Sequence, residues 1–144
     1  MENGSLPAEL PEELRRFLRL VEEGRYWESH EVLEGPWRTL DSGFYHGLIL
    51  YASAFVHWER RNAHGVRAQL RKAHPKLEPF RPAYLGLDVD GILTHVSACR
   101  EALSPFGEGW SGVKPPRLEV DPARVRGDEP ELRRPRGADP AQAP

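Results

Sequence analysis

The run His30-Glu31-Val32-Leu33-Glu34 puts an imidazole and two carboxylates on one short stretch of chain. At about 100° per helical residue, His30 and Glu34 stand only ~40° apart, with Tyr26, Leu33 and Trp37 around the same line. The pattern therefore predicts ionisable groups inside a buried apolar stripe. An uncompensated charge there costs roughly several kcal/mol, so partners are required. His46, Ser53, His57 and Arg61 share a narrow strip of the next helix, and His57 is the partner the spacing favours. His30, Glu34 and His57 would form the two-imidazole, one-carboxylate set that suits zinc or a non-haem iron. Glu31, about 100° from His30, is expected to face outward. The zinc-protease motif needs a second histidine where this chain has Glu34, so that comparison is weak. The competing reading is structural: His30, Glu34 and Arg61 as a hydrogen-bond and ion-pair network locking two helices.

The elements that must position these groups follow from apolar periodicity. Leu10, Leu14, Phe17, Leu18 and Val21 recur at helical spacing, with Pro11 and two glutamates suited to the start and Gly24 to the stop. A second helix begins near Tyr26 and is expected to kink or restart at Gly35-Pro36, since proline removes a donor and clashes one turn back. Phe44 to Arg61 is apolar over so much of its circumference that it belongs in the middle of a bundle. Asn62 suits the cap of a fourth helix, which should be interrupted or end near Pro75. Pro79 to Leu87 reads as a loop. A fifth helix runs from Asp88 or Asp90 to about Leu103, with Cys99 as a small buried hydrophobe rather than a nucleophile.

Eight of the 14 prolines fall from Ser104 onward, so this end cannot sustain regular periodicity. The expected organisation is an all-α bundle of about five helices over 8–104, an extended arm over 105–120 and a Pro-rich, disordered tail over 121–144. Trp110, Val113, Leu118 and Val120 are the arm residues able to lie across the bundle.

Length and charge narrow the class. The 144 residues suit one domain, and a formal charge of −2 offers no global attraction to nucleic acid. Arg60, Arg61, Arg67, Arg71, Lys72, Lys76 and Arg81 give a local basic surplus, for which a solvated helix face is the ordinary explanation. One cysteine excludes an intramolecular disulfide framework and fits a reducing cytoplasm. The most apolar stretch, Gly47 to Val56, is about half the ~20 residues of a membrane span.

Phe17, Gly24, Tyr26, the His30-to-Glu34 run, Trp37, Gly47-Leu48-Ile49, His57, Asn62 and Gly65 together resemble the bacterial family called domain of unknown function 309. The resemblance covers about Leu14 to Leu77 and implies a compact helical bundle with no settled activity. Carried over residue by residue, it marks His30, Glu31, Glu34 and His57 as candidates for function, and Trp37, Asn62 and Gly65 as architectural. The chain departs from the family pattern at Gly35-Pro36 and at His46, where a glutamine is usual. Two readings follow. The first is a non-enzymatic structural or interaction protein, working as a homodimer or on another protein. The alternative is a metal-binding protein or small metal-dependent hydrolase holding zinc or iron on His30, Glu34 and His57.

Overall fold

The computed structural model describes residues 10–133. Five helices make an all-α bundle: α1 (Glu12–Glu22), α2 (Tyr26–Leu40), α3 (Gly43–Glu59), α4 (Ala63–Leu77) and α5 (Val89–Ala102). Leu14, Phe17, Leu18 and Val21 of α1 are buried, as their spacing predicts. Gly24 follows in a left-handed conformation (φ 78°), which turns the chain directly into α2.

The central position of α3 is a consequence of its composition. Its buried residues include Phe44, Tyr45, Leu48, Tyr51, Phe55 and Val56, which cover most of its circumference, and it packs against both α2 and α4. The Ser42 hydroxyl caps its start by accepting from the Tyr45 N–H at 3.0 Å. Asn62 caps α4 in the same way, accepting from the Gly65 N–H at 3.0 Å.

Proline acts differently from the expectation at Pro36. Helix α2 runs unbroken through Gly35 and Pro36 to Leu40, so there is no restart. The missing donor is Pro36's own, so the helix loses one backbone bond there, to the Val32 carbonyl, without breaking. Helix α4 ends at Leu77, two residues past Pro75 and as expected, and is followed by one 3₁₀ turn over Glu78–Phe80.

The expected Pro79-to-Leu87 loop contains a short hairpin, with β1 (Ala83–Tyr84) antiparallel to β2 (Leu87–Asp88). Leu85 and Gly86 between them both have positive φ, 52° and 79°, as a tight two-residue hairpin turn requires. Asp88 then caps α5 by accepting from the Gly91 N–H at 3.0 Å.

The chain after α5 packs back on the bundle. Val113 is buried, Leu118 and Val120 are partly buried against the core, and Val120 bridges to Leu87. The expected tail boundary at Asp121 moves as a result. The Asp121 N–H donates to the Gly86 carbonyl at 2.8 Å, and Glu129 and Glu131 are both buried. Residues 121–133 are therefore part of the folded body, while 134–144 lie outside the described residues. Among the described residues, no helix is long and apolar enough to cross a membrane.

Candidate functional site

On α2 the buried line runs through Tyr26, Ser29 and Leu33, with the Ser29 hydroxyl satisfied by the Tyr26 carbonyl at 2.8 Å. That line is rotated by roughly 100°, one helical residue, from the line through Glu34. His30 consequently sits at the rim of the core, with 19% of its side chain exposed, and Glu34 lies beyond the rim at 41%. Their closest approach is 4.0 Å, a loose pairing, and Glu34 also stands 3.8 Å from the Arg38 guanidinium. The expected buried ion-pair network is thus a half-exposed surface one. Glu31 faces outward as expected.

Trp27 lies on this outward face and remains 53% exposed, an unusual state for so large an apolar ring. Its ring packs on His30 with centroids 5.3 Å apart. His30 Nδ1 is buried and has no hydrogen-bond partner. Trp37, partly rather than fully buried, stacks on His46 at 4.2 Å, and the Arg38 guanidinium lies over its ring at 4.6 Å. Burial, then the nearby Lys76 and Arg38 charges, hold the His46 imidazole below its usual pKa. Its role is that of a flat neutral partner for Trp37.

His57 and Arg61 do not join His30 and Glu34. His57 Nδ1 lies 3.1 Å from Asn62 Nδ2, and a Cβ placed at Gly65 would collide with the His57 ring. His57, Asn62 and Gly65 therefore form one tight corner between α3 and α4. Arg61 occupies the left-handed turn of that corner (φ 57°), its guanidinium 5.2 Å from the Trp110 ring centroid. Among the described residues, no three histidine, cysteine, aspartate or glutamate side chains group so as to hold a metal ion. The His30, Glu34 and His57 donor set is not assembled.

A connected polar cluster on α5 was missed in the sequence. The His95 imidazole on α5 meets the Tyr51 hydroxyl at 2.6 Å through Nδ1 and the Lys114 carbonyl at 2.9 Å through Nε2. The carbonyl only accepts, so Nε2 carries the proton and Tyr51 donates to Nδ1. Cys99 Sγ lies 3.4 Å from His95 Nε2, and Phe55 stacks parallel to the ring. Burial lowers the His95 pKa, with the Lys114 bond opposing, and burial raises the Cys99 thiol. A neutral histidine with both nitrogens engaged ties the arm to α3 and α5. A cavity of about 350 Å³ opens beside it, lined by Tyr51, His95, Asp88, Lys114 and Arg117 among others. The spacing His95-x-x-x-Cys99, facing Tyr51 on the most apolar helix, was the available signal.

Residues 14–69, from within α1 into α4, match the family model described as domain of unknown function (DUF309). No curated protein and no solved structure matches the chain.

Proposed function

We propose that this chain, whose residues 14–69 belong to the domain of unknown function 309 family, is a non-enzymatic interaction protein that binds a basic protein surface through the outward face of α2. The observation that carries this reading is Trp27, held 53% exposed against His30 while Glu31 and Glu34 flank it on the same stripe. Tryptophan is among the residues that dominate binding energy at interfaces, and its ring face attracts a cation. A partner arginine or lysine over Trp27 would also find the two carboxylates. A second copy of this chain meeting the same face would set Glu31 and Glu34 against themselves, and such like-charge contact is unfavourable. A face-to-face pair of copies is therefore disfavoured, and the proposed partner is a different protein. The single cysteine, buried and unpaired, fits a reducing cytoplasmic setting.

The test is site-directed photocrosslinking in cells, with a photoreactive phenylalanine analogue replacing Trp27 or, as control, the exposed Thr94 of α5. Position 27 should label one discrete protein with a basic surface, and Glu31→Arg with Glu34→Arg should abolish that product without changing the melting curve. Labelling that survives charge reversal, or that is identical from position 94, would overturn the reading.

A further inference from the structure

Helices α4 and α5 and the turn after α5 border an open cleft of about 700 Å³, remote in sequence from the α2 motif. Arg67 and Arg71 line it from α4, Ser97 and Arg100 from α5, with Glu101 and Ser104 at its edge. The spacings are what direct these side chains together. Arg67 and Arg71 are four residues apart on one helix face, Ser97 and Arg100 three apart on another, and the two helices pack against each other.

None of the three guanidinium groups forms an ion pair among the described residues, whereas Arg15, Arg81, Arg117 and Arg126 each have a carboxylate partner within 3.2 Å. Glu101 shares the lining yet stays outside ion-pair distance of all three. Arg67 is anchored by one bond, from Nη1 to the Leu103 carbonyl at 3.1 Å. Four of its five donor hydrogens remain available. Arg67 and Arg100 are half-buried, so their mutual repulsion is less screened than that of solvated side chains.

We propose that Arg67, Arg71 and Arg100 form a binding site for the phosphate or diphosphate group of a small molecule. Arginine presents a rigid donor fork that matches phosphate oxygens in bidentate fashion, and convergent arginines recognise a dianion better than a monoanion. The cleft has the volume of an ordinary small-molecule site. A nucleic-acid backbone fits the same surface poorly, because Glu101 interrupts it and the whole chain carries a formal charge of −2. The inference is independent of the α2 face.

Inorganic pyrophosphate is the probe, titrated into the full chain and followed by backbone amide shifts and calorimetry, with inorganic phosphate and a single-stranded oligonucleotide as parallel arms. Pyrophosphate should bind more tightly than phosphate and shift the amides around Arg67, Arg71, Ser97 and Arg100. Arg71→Gln with Arg100→Gln should weaken it at least about tenfold, since two charge-assisted contacts are removed. Lys72→Gln, on the exposed side of α4, should leave it unchanged, and melting curves of both variants check that the fold is intact. Diffuse shifts, equal loss in Lys72→Gln, or no loss in the double variant would overturn the proposal. So would an oligonucleotide that binds more tightly than pyrophosphate through the same arginines.

Discussion

Glu131 accepts a 2.7 Å hydrogen bond from the hydroxyl of Ser42, a residue 89 positions earlier in the chain. Its other carboxylate oxygen accepts from the Tyr84 hydroxyl, also at 2.7 Å, and the group is buried. Ser42 at the same time caps α3, so one carboxylate connects the last described segment, the hairpin and the start of the central helix. Replacing Glu131 with Ala would leave two buried hydroxyls without an acceptor for their protons, at about 1–3 kcal/mol for each. Chemical denaturation should show a loss in that range or above, and a chain ended after Val120 should melt at a lower temperature. An unchanged midpoint in the shortened chain would show that residues 121–133 add nothing to the fold.

Glu129 supplies the pH dependence of the same segment. Burial alone would raise its carboxyl, but the N–H groups of Arg126, Glu129, Gly127 and Leu85 outweigh burial and hold the pKa below the ordinary value. A carboxyl depressed by folding stabilises fully above its unfolded pKa, near 4.5, and that increment disappears as the pH falls through the folded value. Glu129→Gln should therefore flatten the acid limb of a stability–pH curve below about pH 4.5 and lower the plateau above it. A variant curve parallel to that of the parent protein would contradict the assigned bonds.

His95 acts at higher pH with the same sign. Its folded pKa lies below 6.5, so the unfolded chain binds more protons just under that pH, and stability should rise with pH until about 6.5. His95→Leu should reduce this slope and cost about 1–3 kcal/mol near neutrality, because the buried Tyr51 hydroxyl loses its acceptor. His46, shifted in the same direction, retains part of the slope. Urea titrations from pH 5 to 8 measure both effects.

The two tryptophans of α2 should behave in opposite ways. Trp37→Ala removes a partly buried ring stacked on His46, and a cost of about 1–3 kcal/mol is expected, below the ~3–5 of a fully buried aromatic. Trp27→Ala should leave the melting midpoint nearly unchanged and weaken the proposed protein contact by about 2 kcal/mol or more. A larger stability loss at position 27 than at 37 would reverse their roles.

Gly65→Ala tests the corner that joins α3 to α4. The new Cβ would meet the His57 ring and lie 2.8 Å from Asn62 Nδ2, disturbing the cap of α4. Overpacking and loss of the cap together should cost about 1–3 kcal/mol, despite alanine's higher helix propensity. A stabilised variant would mean that the corner relaxes freely.

The helices were legible because their apolar spacing and caps agree: Leu14 through Val21, the solidly apolar α3, and Asn62 ahead of α4 each point to one structure. The α2 site was legible in its residues but not in its orientation. A stripe containing Tyr26, Leu33 and Trp37 can be centred on either side of His30, and in the structure it runs through Ser29, whose buried hydroxyl is satisfied by the Tyr26 carbonyl. The contribution of Glu129 and Glu131 was hidden because their burial depends on donors far off in sequence, Leu85 for the first and Ser42 and Tyr84 for the second. Proline, glycine and charge around them describe a segment without periodicity, which need not be a segment without contacts.

The connection between Ser42 and Glu131 also sets an order of events. Helices α1 to α4 pack mainly on their sequence neighbours, so their contacts close short loops, whereas seating residues 121–133 joins positions up to 89 residues apart. The strap gains its bonds only after the hairpin and the α3 cap exist to receive it. It is thus the cooperative unit able to open without the rest, and hydrogen exchange at Leu85, Asp121, Arg126 and Gly127 should run faster than at the core of α3 while sharing one common opening free energy.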